Sequence, residues 1–252
     1  FYATRENFEL QDPDYMYLSA GTGAAGNGGL ASENTLLSYF GKVNYVYDSK
    51  YLASATVRYD GSSRFGKNNQ FAAFPAFSLG WRINQEDFIK DNVAAISDLK
   101  LRFGWGQTGN QEIPNKISQI KLGSTDGAVL DGGTTVTQGV TLTRTPNPDL
   151  KWERTEQINI GFDFAILKNR LSGTFDFFSK TTKDVLLQVY SISPAPTTQV
   201  WSNVPDMKIV NKGFEVGLNG VIIDTKDWRW NAGVNFSSIT NKVKNLPMSS
   251  IT

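Results

Sequence analysis

The 252-residue chain contains no cysteine and no histidine, and those two absences remove whole classes of chemistry. Without thiols or imidazoles there is no disulfide frame, no cysteine nucleophile, no histidine-based triad and no ordinary zinc site. Charge is scarce and balanced. Lys plus Arg number 25 against 24 Asp plus Glu, a formal net charge of +1, and no basic block offers a footprint for nucleic acid. No run approaches the roughly 20 apolar residues of a membrane helix. The charged fraction of 19% lies below the roughly 25% of an ordinary soluble domain. What the chain has instead is 23 glycines, 16 Phe, 9 Tyr and 6 Trp, which points to a β-rich protein and away from a small-molecule enzyme. It opens on Phe1-Tyr2-Ala3 without a signal-peptide pattern and closes just after a strand-like segment. The expectation is an internal piece of a longer polypeptide.

Eight segments alternate apolar and polar with period two, the pattern of strands with two unlike faces. They are centred on Leu37–Tyr47, Tyr51–Tyr59, Phe77–Ile83, Leu99–Trp105, Ile158–Phe164, Leu171–Phe177, Phe214–Leu218 and Trp228–Phe236. One face of every segment is free of charge. The opposite face carries Lys42, Arg58, Asp60, Lys100, Arg102, Asp163, Asp176 and Glu215, interspersed with Gly104, Gly106, Gly161 and Gly217 and with Asn44, Asn159 and Asn235. A charge on the lipid-facing midplane of a transmembrane barrel costs about 2–4 kcal/mol, which would enforce this segregation. The dry core of a soluble sandwich would enforce it too, so alternation alone leaves the apolar partner open.

Connection lengths favour the barrel. Residues 48–50, 167–170 and 224–227 make tight turns, whereas 61–72, about 109–150 and about 182–212 are long. In an up-and-down meander these sets fall at opposite ends, the habit of outer-membrane barrels. Residues 84–98 are a medium connection at the short-turn end and read as a brief helix. Tyr45, Tyr47, Tyr51, Trp228 and Trp230 lie beside short turns, where an aromatic girdle would sit.

Motifs for chemistry are weak. Gly21-Thr22-Gly23-Ala24-Ala25-Gly26 matches a dinucleotide fingerprint, but Asn27-Gly28-Gly29 follows where a helix must start, so residues 19–32 read as a flexible loop. The carboxylate pairs Asp12/Asp14, Glu86/Asp87, Glu153/Glu156 and Asp224/Asp227 mostly occupy turns or strand ends, where such residues are favoured for solvation. No catalytic, cofactor-binding or metal-ligating residue is assigned, and no cofactor is expected. Four loop residues are candidates for contact with a ligand or partner. Arg64 and Asn68 lie in the polar turn Asp60–Asn69, which could instead be only a connection closed by an Asp60–Arg64 pair. Tyr190 and Trp201 lie in a long loop near Pro194 and Pro196, as aromatic platforms or as caps on a neighbouring loop.

Several stretches resemble one family. Leu36-Leu37-Ser38-Tyr39-Phe40-Gly41-Lys42-Val43-Asn44-Tyr45, Arg58-Tyr59-Asp60-Gly61-Ser62-Ser63-Arg64-Phe65-Gly66 and Phe74-Pro75-Ala76-Phe77-Ser78-Leu79-Gly80-Trp81-Arg82 are similar to the SusC/RagA TonB-linked outer-membrane transporters. So are Gly106-Gln107-Thr108-Gly109-Asn110-Gln111, Asn147-Pro148-Asp149-Leu150-Lys151-Trp152-Glu153 and Asn211-Lys212-Gly213-Phe214-Glu215, in family order. The resemblance implies an all-β fold: about eight antiparallel up-and-down strands of a 22-stranded transmembrane barrel whose plug domain has no counterpart in this sequence. Residues 1–34 would be a long outward-facing loop region, 35–241 the eight strands and 242–252 the start of the next loop. It also implies import of oligosaccharides or peptides with TonB energy through the missing plug region, a SusD-like surface lipoprotein as lid, and a lipid bilayer around the barrel. Small residues on the polar face, such as Gly104, Gly106 and Gly217, would leave room for the plug. A complete small outer-membrane barrel and a soluble carbohydrate-binding sandwich remain as alternatives.

Overall fold

The computed structural model describes residues 2–10, 12–28, 32–90, 93, 95–129, 132, 136–191, 195 and 197–246. Pro194, Pro196 and the last six residues lie outside them. The chain divides into two compact units, Phe1–Asn34 and Thr35–Thr252.

In the first unit, β1 (Tyr2–Thr4) pairs antiparallel with β2 (Gly26–Gly28), and Phe8 bridges Gly21. Asp12 caps a single 3-10 turn, Pro13–Tyr15, by accepting from the Asp14 amide at 3.1 Å. The glycine-rich motif therefore runs into a strand, and the helix that a phosphate site would need is absent among the described residues. The segment expected as loop carries this small ladder.

The second unit contains β3 (Leu36–Tyr47), β4 (Tyr51–Ser62), β5 (Phe71–Arg82), β6 (Ile96–Asn110), β7 (Lys121–Ala128), β8 (Thr137–Arg144) and β9 (Glu153–Ile166). After these come β10 (Leu171–Lys183), β11 (Leu186–Tyr190), β12 (Gln199–Asn203), β13 (Lys208–Asp224) and β14 (Arg229–Lys244). Eight of them, β3, β4, β5, β6, β9, β10, β13 and β14, form one antiparallel sheet in chain order, and they are the eight alternating segments. The connection between β5 and β6 contains a 3-10 turn, Ile83–Gln85, and one helical turn, α1 (Asp87–Lys90). The long connections are not plain loops. β7 pairs with β8 and β11 with β12, each as a separate hairpin.

Register fixes which residues share a face. Tyr47, Tyr51, Trp81, Leu101, Phe162 and Phe175 form one cross-strand row on the apolar face. Measured from that row, the β3–β4 turn lies about two residues away and the β9–β10 turn about six. A step of about one residue per strand, with about 3.3 Å rise and 4.8 Å spacing, means strands inclined by about 35°, within the range of closed barrels.

Burial decides between sandwich and barrel. Val43 is 70% exposed, Phe236 57% and Trp228 78%, and the apolar face is open along its length. A sandwich would have these side chains in its core. The buried side chains lie instead at the long-loop end and on the other face.

Among the described residues no helix is long and apolar enough to cross a membrane, which bears on helices only.

Candidate functional site

At the long-loop end, the polar face becomes apolar. Ala72 and Phe74 of β5 share the face of Arg58 and Arg102, yet both are buried, 4% and 5% exposed. They meet Phe65 from the β4–β5 loop, Ile113 and Ile117 from the loop after β6, Leu150 and Trp152 from the approach to β9, and Leu186 from β11. Trp152 is the centre. Its ring lies 4.6 Å from Phe65 and 5.4 Å, edge-on, from Phe74, and its indole N–H donates to the Gln70 carbonyl at 2.9 Å. A buried indole needs such a partner.

The sequence-based loop candidates lie in or around this cluster. Arg64 Nε donates to Asn115 Oδ1 at 2.8 Å and its guanidinium also to the Gln111 carbonyl at 2.8 Å, joining two loops. The anticipated Asp60–Arg64 pair is not formed. Asp60 takes Arg58 at 2.7 Å, because residues two apart on one strand share a face. Asn68 donates to Asp149 Oδ1 at 2.8 Å, and its amide donates to the Pro148 carbonyl at 3.2 Å. Gly66 brings the same loops together: its amide donates to the Leu150 carbonyl at 2.9 Å, and a Cβ there would collide with Pro148. Trp201, half-buried on β12, packs against the cluster, and its carbonyl accepts from Asn147 at 2.9 Å. Tyr190, on β11 opposite Gln199, is 48% exposed. Arg64, Asn68 and Trp201 thus meet at one loop assembly, and Tyr190 stands on the open part of the same hairpin. Sequence reading missed Trp152, Leu150 and Phe65 as its core, because isolated apolar residues in loops carry no period.

Nearer the middle, the polar face holds an ionic bridge. Arg102 grips Asp163 through two bonds of 2.8 and 2.7 Å and reaches Asp176 at 3.0 Å. Arg102, Gly161 and Asp176 are registered in one row over β6, β9 and β10. A Cβ on Gly161 would lie 2.5 Å from Asp176 Oδ1 and 2.6 Å from the guanidinium, so the bridge passes directly over that glycine.

At the short-turn end, Glu86 holds the aromatic row. Its Oε1 accepts from the Tyr51 hydroxyl at 2.7 Å and the Trp81 indole at 2.8 Å, and Lys50 lies 3.4 Å from Oε2. Tyr47, Tyr51 and Trp81 stack in sequence, 6.3 and 6.5 Å apart. The Tyr51 hydrogen bond, then those of Trp81 and Lys50, hold the Glu86 carboxyl below its ordinary range against partial desolvation. Desolvation pulls Lys50 down, but Asp87, Glu86 and Asp48 together outweigh it and raise its pKa. This arrangement is a tether for amphipathic rings at a membrane boundary rather than an acid–base pair. Among the described residues no carboxylate cluster is suited to a metal ion.

The TonB dependent receptor-like β-barrel family model matches residues 2–250. The chain belongs to that family. A TonB-dependent receptor of Formosa agariphila is 35% identical over 98% of this chain, and the TonB-dependent receptor SusC of Bacteroides thetaiotaomicron is 37% identical over 86%. The match covers 24% and 21% of those relatives, so the chain spans about a quarter of the length of the relatives it matches. Among solved structures, the RagAB peptide importer in its open-open state superposes with a TM-score of 0.80 at 30% identity, over 94% of this chain and 25% of that one. These relatives are receptors and transporters, not enzymes, and they are outer-membrane β-barrels. The eight-stranded sheet is accordingly a block of a TonB-dependent receptor barrel in the outer membrane, its apolar face toward lipid and its polar face toward the lumen.

Proposed function

We propose that the complete protein imports an oligosaccharide or peptide across the outer membrane, energised by the TonB system through a plug elsewhere in the polypeptide and covered by a SusD-like lipoprotein. The likeness to SusC and to the RagAB peptide importer carries this reading. The loop core on the lumenal side supports it, because it provides a folded floor where cargo would gather beneath a lid. In this reading residues 1–34 are an outward-facing loop region and the strands run from 35 to 244, since β14 continues three residues past the expected limit of 241; most of the loop expected over 242–252 lies outside the described residues. Arg64, Asn68 and Trp201 hold the loops in shape, while Tyr190 faces cargo or lid.

The test is purification of the full-length protein from outer membranes in mild detergent, with uptake assays on cells with and without TonB. A copurifying surface lipoprotein and TonB-dependent uptake of a labelled oligosaccharide or peptide are expected. Uptake that persists without TonB, in a protein that brings no lipoprotein with it, would overturn the reading.

A further inference from the structure

Between the ionic bridge and the long loops, the inward face of β9, β10, β13 and β14 carries a small apolar spot. Phe178 of β10 is registered with Asn159 and Gly213, and Gly213 with Ile239, which makes one row across the four strands. The tip of the Phe178 ring lies over Gly213, where a Cβ would come within 2.8 Å of Cζ. Phe178 is half-buried and Ile239 is 60% exposed. The next row toward the loops is Gln157, Lys180, Asn211 and Asn241; the next row the other way is Gly161, Asp176, Glu215 and Ser237. Strand alternation turns all three rows to the lumen. They frame an open recess of about 390 Å³, within the size range of small-ligand sites.

The polar groups of this recess lack partners. Among the described residues, Lys180 has no carboxylate within salt-bridge distance, and its ammonium stands 5.7 Å from the centre of the Phe178 ring. Glu215 has no cation. It directly faces Asp176, which already takes Arg102 at 3.0 Å. Like charges opposite each other on a strand pair are destabilising, so Glu215 is the carboxylate still in need of a counter-charge. Gln157, Asn159 and Asn211 make no side-chain hydrogen bond among the described residues. One row closer to the loops, by contrast, Thr155 and Thr182 hold each other at 2.8 Å.

We propose that this recess is a subsite for an extended peptide of about four residues. Its carboxylate end lies at Lys180, its amino end at Glu215, and an apolar side chain between them rests on Phe178 and Ile239. The inference rests on the transport reading and selects peptide from its two cargo classes. Length follows from register. Lys180 pairs with Asn211, four residues before Glu215, so the two charges are about 13 Å apart along the strands and one strand apart across them. Four extended residues cover about the same distance. Chemistry selects the class. A neutral sugar offers nothing to either charge, Ile239 has no flat face for a sugar ring, and the Lys180 ammonium already stands by the Phe178 ring. A peptide supplies both charges and an apolar side chain. Its backbone amides also match the Asn and Gln side chains, each of which both donates and accepts.

The test is equilibrium dialysis of the full-length protein in detergent, with any lipoprotein that copurifies. The probes are a pool of unmodified tetrapeptides, the same pool N-acetylated, the same pool C-amidated, and maltotetraose. Wild type is expected to bind the unmodified pool, to bind each capped pool about fivefold more weakly, and not to exchange peptide for maltotetraose. Lys180→Gln should cost about fivefold on the unmodified pool and erase the penalty for amidation alone. Glu215→Gln should cost as much and erase the penalty for acetylation alone. Phe178→Ala should weaken all three peptide pools alike; if it does not assemble, Phe178→Leu is read in the same way. Absence of peptide binding, equal binding of capped and free pools, penalties that survive both charge substitutions, or displacement by maltotetraose would overturn the proposal. So would variants that bind peptide normally but assemble poorly, since the recess would then be a seat for the plug. TonB-dependent uptake is scored separately. Oligosaccharide uptake without peptide binding would sink this inference and leave the transport reading standing.

Discussion

Gly161→Ala tests whether the lumenal ionic bridge depends on the absence of a side chain. The added Cβ would sit 2.6 Å from the Arg102 guanidinium carbon and 2.5 Å from Asp176 Oδ1, so the arginine must lift off the sheet. The bidentate grip on Asp163 can follow that movement; the 3.0 Å bond to Asp176 cannot. A charge-assisted hydrogen bond contributes about 1.5–3 kcal/mol. Here the side chains are 20–32% exposed, which lowers the expected loss to about 1 kcal/mol. Working against it, replacing glycine by alanine within a strand ordinarily gains about 0.5 kcal/mol or more. The decisive experiment is a cycle with Arg102→Gln, Asp176→Asn, in which no charged tips cross residue 161. Urea unfolding of the full-length barrel in lipid vesicles, followed by tryptophan fluorescence, supplies the free energies. Gly161→Ala should destabilise the wild type by a net of about 0.5 kcal/mol and stabilise the doubly neutralised background by about 0.5 kcal/mol, a coupling of about 1 kcal/mol. An equal effect in both backgrounds would refute the argument, because interacting sites must show non-additivity.

Three further outcomes are expected. Trp152→Ala should empty the loop core at a local cost of about 3–5 kcal/mol, seen as rapid protease cleavage in residues 109–150 while the strands stay protected; Trp152→Phe should be much milder. Gly104 has open space around its Cβ position, whereas a Cβ on Gly106 lies 2.9 Å from the Ala76 side chain. Gly104→Trp should therefore leave this sheet intact and impair transport only if another body fills the lumen, which uptake and assembly assays on the full-length protein separate. The Glu86 tether has a folded pKa below its unfolded one, so its contribution is present above the ordinary carboxylate value near 4.3 and disappears as pH falls through the lower folded value. Lys50, raised in the fold, contributes below its ordinary value near 10.4 and ceases to do so as pH rises through the higher folded one. An acid-induced change in Trp81 fluorescence that persists in Glu86→Gln would contradict this assignment.

Period-two alternation was enough to find all eight strands of the main sheet, because charge is confined to one face within each of the eight alternating segments, although β9, β10 and β13 carry charge on the apolar face beyond them, at Arg154, Lys183 and Lys208. It could not find β7–β8 or β11–β12. Lys121–Ala128 has a single large apolar residue, Leu122, so there is no alternation to read. Side-chain pairing across strands was equally hidden, since Arg102 and Asp176 are 74 residues apart and meet only through register. The Arg58–Asp60 pair was within reach: two residues apart on a strand means one face. Trp152 and Leu150 stood in a recognisable stretch, yet nothing in their spacing shows that Phe65 and Phe74 close over them.

The loop core unites stretches whose positions run from Phe65 to Trp201. Three connections that leave the sheet at different strands thus share a single nucleus, and no one of them can swing away without exposing the other two. Passage of anything bulky past this end of the barrel then requires either a route beside the nucleus or its displacement as one body. The relevant motion is that of a single hinged plate: its opening should appear as one kinetic phase, whichever loop carries the probe.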